Sequence, residues 1–574
     1  MKRVSVSFIF VALMLGACSQ GPVEAPPVVE NPADVIFFGD NIVTVDASLS
    51  GAKAVAVRGA DIIAVGSRAD IMALQGTSTR VIELGDDALV PGFIDAHGHT
   101  SFVGRLIDYV NLSSPPVGTV VTMDDLVTLI VEHMESTQPG PGEWVVGYGY
   151  DDSLIAENRH PTRDDLDRAS TDVPIMLSHV SGHLLAANSA ALAAAGVDAD
   201  SEDPEGGVIR RKPGTRVPDG VFEETAMGLV RAASPRNSDP ARLEQMFRQS
   251  AEFHARHGIT TVQDGGAGLD DIAIYRDAAQ REQFPVDIVA FAGANRLDDA
   301  TLDSVTIERD YIGGFRVGGI KFVLDGSPQG RTAFLSQPYT EGPPGAAPDY
   351  RAYPSYPAEA YNERIARLIQ AGKPVLAHAN GDAAIDMMID GVAAAVEGIE
   401  LPDHRSVIIH AQLMRPDQLP LVKALGLVPS YYAAHPFFWG DWHRKSFGEE
   451  RAAFISPLAA TAELDIPFTI HNDSPVVPPD MMRLLWIAVN RKTRSGFVIG
   501  PDQRLTPEQA LYAVTQGAAY QYFEEDWKGS ITPGKRADLV ILDANPLTID
   551  PDSIKDIGIV ETFARGVSVY RQQQ

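Results

Sequence analysis

Pro91-Gly92-Phe93-Ile94-Asp95-Ala96-His97-Gly98-His99 is the stretch on which the fold turns. Successive side chains on a strand face opposite sides, so His97 and His99 share one side, where two imidazoles can hold one metal ion. Alone the pattern has little weight: with 14 histidines in 574 residues, chance supplies a His-x-His in about one such chain in three. Position supplies the missing specificity. From Leu89 onward apolar strands alternate with longer helical stretches, and four further strands end in a residue able to bind a divalent metal or move a proton. These are Lys321 in Gly318-Gly319-Ile320-Lys321, His378 in Pro374-Val375-Leu376-Ala377-His378, His410 in Val407-Ile408-Ile409-His410, and Asp473 in Ile470-His471-Asn472-Asp473.

The alternation predicts βα units around a parallel sheet, an α/β protein. Eight candidate strands end near His97, Leu177, Asp264, Asp325, His378, His410, Tyr431 and Asp473, the number that closes a (β/α)8 TIM barrel. The C-terminal ends of all strands meet at one mouth there, and distance along the chain stops mattering. Thr100 to Thr171 and Leu184 to Gly258 are too long for simple crossovers and predict helical insertions over that mouth. His435, Trp439, Trp442 and His443 follow the seventh strand. His254 and His257, three apart on a predicted helix, read as surface residues.

Outward from the barrel, residues 33–90 carry short β-branched runs such as Ala54-Val55-Ala56-Val57 and Ile62-Ile63-Ala64-Val65. The far end, with Asp538-Leu539-Val540-Ile541-Leu542 and Val567-Ser568-Val569-Tyr570, has the same character. The two ends, 33–90 and 529–574, are therefore expected to pair into a small β-sandwich domain, with the barrel and its insertions at 91–528. Before them, Lys2 and Arg3 precede the apolar run Val4 to Leu15 and then Gly16-Ala17-Cys18. That is the form of a signal peptide over 1–18, shorter than the roughly 20 residues that span a bilayer. Leu15-Gly16-Ala17-Cys18 resembles the bacterial lipobox, in which the cysteine is lipidated. Cys18 is the single cysteine of the chain, so no internal disulfide forms. The expectation is a cell-envelope lipoprotein, anchored only through Cys18, facing the periplasm from the outer membrane or free within it, with a Pro-rich tether at 19–32. A net charge of −29 without a basic tract argues against a nucleic-acid partner; the partner expected is a small-molecule substrate, with homo-oligomerisation left open.

With Gly182-His183, Asn188-Ser189, Gly258-Ile259-Thr260-Thr261-Val262-Gln263-Asp264, Gly529-Ser530-Ile531 and Gly534-Lys535-Arg536-Ala537-Asp538-Leu539, the segments above resemble the amidohydrolase 3 branch of the amidohydrolase superfamily, from about Ala33 to Tyr570. The resemblance implies His97, His99, His378 and His410 as metal ligands, Lys321 carboxylated by carbon dioxide and bridging two ions, and Asp473 as the remaining ligand and proton carrier. Residue chemistry agrees. Imidazoles and carboxylates suit one or two Zn2+, with Mn2+ or Fe2+ as alternatives, and a lysine ammonium beside divalent cations is repelled where its carbamate is a ligand.

The function so implied is hydrolysis of a non-peptide carbon–nitrogen bond, in an amide, N-acyl, formamide or cyclic amide group, by metal-activated hydroxide with Asp473 as proton shuttle. Cyclic imine deamination, or ester or lactone hydrolysis, uses the same attack on an sp2 carbon. A catalytically silent envelope protein that binds metal or ligand is the non-enzymatic alternative. His183, Asp325 and His471 are the expected substrate contacts. Where the family often has Glu before the sixth-strand histidine, this chain has Ile409.

Overall fold

The computed structural model describes residues 31–235, 239–343 and 345–573, together with Met1. The leader, Cys18 and the tether up to residue 30 lie outside the described residues. Among those described, no helix is long and apolar enough to cross a membrane.

The centre of the molecule is an eight-stranded sheet formed by Phe93–Ile94 (β1), Ile259–Ala267 (β2), Asp287–Gly293 (β3), Phe315–Val323 (β4), Val375–Ala379 (β5), Val407–His410 (β6), Val428–Tyr431 (β7) and Thr469–Ile470 (β8). Neighbours in space are neighbours in sequence, and every pairing is parallel. A sheet with both faces buried needs apolar residues on both, which is why β3, β5 and β6 read as mostly Val, Ile, Leu and Ala. One face packs on helices such as Leu269–Arg281, Ala358–Gln370 and Asp382–Ala395. The other carries Ile94, Val289, Phe291, Leu376, Val407, Ile409 and Val428 in a second, inner core. The sheet curls until the segments beyond its edge strands bond to each other: Asp473 N–H donates to His97 O (3.0 Å) and His99 N–H to Ser474 O (2.8 Å).

One expected strand is replaced. Ile175–His179, which contains Leu177, does not belong to this sheet, and its place is taken by β3. Both segments are short apolar runs introduced by proline, and periodicity cannot separate two such runs; only the available pairing partners do. Ile175–His179 belongs instead to a six-stranded mixed sheet with Val110–Asn111, Val145–Tyr150, Leu184–Ala187, Gly207–Arg211 and Pro218–Glu224. The long connection between β1 and β2 is thus built around a sheet, with helices such as Met123–Thr137 packed on it, and not the helical insertion expected. His254, read as a surface residue, is buried with its Nδ1 2.8 Å from Ser250 O, and His257 is half-buried.

The chain ends form two four-stranded sheets, one from residues 33–83 and one from Ala88–Pro91 with Leu539–Leu542, Ile559–Ala564 and Val567–Arg571. They share one apolar core in which Phe37 meets Phe563 edge to face at 5.1 Å, a geometry worth about 1 kcal/mol beyond its buried area. The C-terminal segment is locked to the central sheet by charge. Lys528 Nζ lies 2.6 Å from Asp287 Oδ2 on β3, 3.2 Å from Glu524 Oε2 and 2.9 Å from Thr261 Oγ1 on β2. Burial, which opposes the ammonium, is outweighed by Asp287 and Glu524, so its pKa rises. Removing one partner of a buried ion pair strands the other. We expect Lys528→Met to lower urea-unfolding stability by about 3 to 5 kcal/mol, while Lys53→Met, at an exposed pair with Asp40, changes it by less than about 1 kcal/mol.

Candidate metal centre

The side chains read from the sequence are delivered by the segments after β1 and β8 and by β4, β5 and β6, and they meet. Asp473 is their centre. Its Oδ1 lies 3.3 Å from His99 Nε2 and 3.5 Å from His97 Nε2, and its Oδ2 lies 4.0 Å from His410 Nε2. Lys321 Nζ is 3.2 Å from His97 Nε2, and His410 Nε2 is 3.0 Å from His378 Nδ1. Residues separated by nearly four hundred positions therefore surround one point.

Local backbone geometry makes this convergence. On β6, Ile408 packs in the outer core and Ile409 in the inner one, so strict alternation would turn His410 outward. His410 instead has φ +73° and Ala411 φ +48°, which breaks the alternation and brings the ring to His378. Asp473 is also left-handed, at φ +55°. Non-glycine residues held there cost of order 1 to 3 kcal/mol and concentrate at functional sites. At Gly265 on β2 a Cβ would stand 2.5 Å from His97 Cε1, so only glycine lets that ring lie against the sheet.

The donor set fits a cation. His97 Nδ1 is 2.5 Å from Gln263 Oε1, so Nδ1 carries the proton and the Nε2 lone pair faces the cluster. His378 Nε2 lies 3.1 Å from Gly326 O and 3.0 Å from Asn380 Nδ2; in the tautomer that donates to Gly326 O, Nδ1 is the lone pair. His410 Nδ1 meets His471 Nε2 at 3.2 Å, and His471 Nδ1 meets Ser430 Oγ at 2.8 Å. With protons placed outward along this row, His410 Nε2 and His378 Nδ1 present lone pairs to each other, and a cation between them removes the conflict. Asp473 Oδ1, buried, has no hydrogen-bond donor. Partners of this kind on the outward nitrogens hold the tautomer that coordinates metal. Burial, reinforced by neighbouring positive groups, holds His97, His378 and His410 far below the usual imidazole range. Neutral imidazole is the form that binds metal.

Lys321 is buried, makes no ion pair among the described residues, and burial lowers its pKa to about 7 despite the attraction of Asp473. An uncharged amine is the form that combines with carbon dioxide.

Asp325 and His471, expected as substrate contacts, do not border the cavity. Asp325 is fully buried and accepts backbone N–H groups from Asn380 (3.0 Å), Gly381 (2.7 Å) and Phe334 (3.0 Å), anchoring the loop after β4 to the end of β5; burial raises its pKa to about 7. It forms no ion pair with Lys321. His471 stands behind His410 and orients it. His183 does border the cavity: its Nδ1 is 2.8 Å from Glu224 Oε2, its ring centroid is 4.8 Å from that of His378, and Glu224 outweighs burial in raising its pKa. Gln263, Ser430 and Glu224 were not singled out from the sequence; only the Gln263 segment had been noted, without a role.

These groups open into one cavity of about 1840 Å3 between the strand ends and the six-stranded sheet, lined by His99, Lys321, His378, His410 and Asp473 on one side and Trp144, Tyr148, Met176 and His183 on the other. His435 lines it too, whereas His443 is buried beside Gln412 Nε2. A second convergent group, Asp152, His160 and His179, lies in the insertion. Ser181 N–H donates to His179 Nδ1 (3.2 Å), so His179 Nε2 carries a proton and gives it to Asp152 Oδ1 (3.1 Å). That nitrogen has no lone pair for a metal.

Residues 80–570 match the model of the amidohydrolase family. The chain is 27% identical to the N-substituted formamide deformylase of Arthrobacter pascens, over 94% of this chain and 98% of that protein. It is 26% identical to the putative amidohydrolase YtcJ of Bacillus subtilis (strain 168), over 86% and 91%. Among solved structures, an uncharacterized metal-dependent hydrolase from Pyrococcus horikoshii OT3 superposes with a TM-score of 0.70 at 22% identity, covering 90% of this chain and 99% of that one; that likeness bears on the fold alone. The family match spans the central sheet, its insertion and the sheet that joins Ala88–Pro91 to the C-terminal strands, and the chain belongs to the amidohydrolase family.

Proposed function

We propose that this protein hydrolyses a non-peptide carbon–nitrogen bond, in an amide, N-acyl, formamide or cyclic amide group of a small molecule. The observation that carries the proposal is the set of inward lone pairs around Asp473 beside a cavity bordered by Lys321. The name of the formamide deformylase relative supports the same bond class. We read the curled sheet as a (β/α)8 barrel closed at its mouth by the Asp473 and His99 backbone bonds, and the paired chain ends, 33–90 and 529–574, as a β-sandwich domain.

His97, His99, His378, His410, Asp473 and a carboxylated Lys321 would hold one or two divalent ions, with zinc favoured by the histidine-rich set. A bound ion supplies Lewis acidity, which makes water nucleophilic near neutral pH and polarises a carbonyl. The rest falls to the protein. Asp473, with Oδ1 free of any donor, takes the proton of the attacking water and returns it to the leaving nitrogen, so one carboxylate serves both transfers. His183, from the opposite wall, contacts the substrate. The cavity exceeds the roughly 300 to 1,000 Å3 of most small-ligand sites, so a sizeable substituent on the nitrogen or acyl side is accommodated. The leader and Cys18 add the proposal that the enzyme works at the bacterial cell envelope.

A turnover screen of zinc-loaded protein against substituted formamides, N-acyl amino acids, cyclic amides and esters tests the class; turnover of esters alone would exclude it. Chelation should abolish activity and added zinc restore it. Asp473→Asn should retain metal yet lose about 100-fold or more in kcat, and full activity in that variant would remove the proton carrier. Lys321→Ala should lower metal content measured by mass spectrometry, with partial recovery in short carboxylic acids; undiminished occupancy would exclude a ligand role. Radiolabelled palmitate should enter the wild-type protein in bacterial cells and not Cys18→Ser, and equal labelling of both would refute the anchor.

A further inference from the structure

Glu224 is placed at a cost that the fold does not need. It ends the last strand of the insertion with φ +48°, and it is buried. Its Oε2 is taken by His183 Nδ1, while Oε1 has no hydrogen-bond partner. A Cβ on Gly326 would stand 2.3 Å from that oxygen, so the loop after β4 leaves room for the carboxylate without giving it a donor. A buried carboxylate oxygen without a partner is destabilising. What Glu224 provides is orientation. It takes the Nδ1 proton of His183, which leaves Nε2 as the polar atom that the ring offers to a ligand.

The hairpin bearing His183 is fixed from its other side as well. His183 N–H donates to Ser181 Oγ (3.2 Å), Ser181 Oγ lies 2.8 Å from His179 Nδ1, and His179 Nε2 donates to Asp152. The His183 carbonyl is tied down as well, accepting from Glu224 N–H (3.0 Å). Hydrogen bonds thus hold the ring's carrier at both ends, and the ring lies against His378 on the cavity wall.

We propose that Glu224 is a positioning residue which, through its bond to His183 Nδ1, sets His183 Nε2 against the polar atoms of the scissile group on the wall opposite Asp473. The inference rests on the hydrolase reading above and deepens it. The insertion then contributes a catalytic residue as well as a cover, and Glu224 acts only through that residue.

The test uses the metal-loaded full chain with Glu224→Gln, Glu224→Asp, His183→Asn and the Glu224→Gln/His183→Asn pair, assayed on whichever substituted formamide or N-acyl compound the wild type turns over. Glu224→Gln and His183→Asn should each lower kcat/KM by about tenfold to hundredfold with metal content unchanged, the double variant should be no worse than His183→Asn, and Glu224→Asp should recover part of the loss. Multiplying effects, or Glu224→Gln within twofold of wild type, would overturn the proposal. A separate reading needs no substrate: the imidazole N–H proton of a histidine bonded to a carboxylate resonates far downfield. In protein with 15N-labelled histidine the His179–Asp152 bond gives one such signal, and the second should vanish in Glu224→Gln and in His183→Asn. If it is absent from the wild type the positioning claim falls. If the wild type turns over no carbon–nitrogen substrate while the signal is present, the hydrolase reading falls and the His183–Glu224 bond stands.

Discussion

The hydrogen bond from Asp473 N–H to His97 O joins the end of the last strand of the central sheet to the end of the first. Everything at the site hangs on that seam. It places the Asp473 carboxylate between His97 and His99, and the matching bond from His99 to Ser474 holds the second histidine in register. Asp473 adopts a left-handed backbone to make it, and the seam pairs strand ends that would otherwise leave a polar edge open.

A second constraint is electrostatic. Three neutral imidazoles with their outward nitrogens engaged and, among the described residues, one lysine without an ion-pair partner and one carboxylate oxygen without a donor are an unfavourable arrangement in a dry interior. Each is individually what burial discourages. Together they describe a cage whose own polar groups are balanced only by a cation and, at Lys321, by loss of the ammonium charge. The contrast with Asp152, His160 and His179 is informative, because in that cluster of similar composition His179 accepts from Ser181 N–H at Nδ1 and gives its Nε2 proton to Asp152. Ligand type alone does not make a metal site; the direction of the lone pairs does.

The insertion between β1 and β2 turns an open mouth into a chamber. Its sheet supplies the wall that carries His183 and Glu224, and its own core, built on Leu126, Ile130, Val145, Tyr150 and Leu177, gives that wall rigidity independent of the central sheet. Trp439, beyond β7, clips it down by donating Nε1–H to Asp151 Oδ2 at 2.6 Å. Aromatic packing after β7 is thereby also what joins the two walls of the cavity.

Local chemistry determined much of this protein in the sequence itself. A strand carrying His97 and His99, strand ends carrying Lys321, His378, His410 and Asp473, and β-branched runs at both chain ends are properties of short segments, and periodicity and side-chain type report them directly. Pairing is not local, and only tertiary structure decided it. The apolar run at Leu177 and the one at Val289 are alike until one finds neighbours in the central sheet and the other in the insertion. His410 was named by its place at a strand end, but the left-handed backbone that turns its ring to His378 is invisible in residue identity. Asp325 and His471 were close in sequence to the right place, yet three backbone donors claim the first and the back of His410 claims the second. Glu224 carried no signal at all, since a glutamate in a loop-rich acidic chain becomes a site residue only when folding buries it beside an imidazole and gives one of its oxygens nothing else to bind.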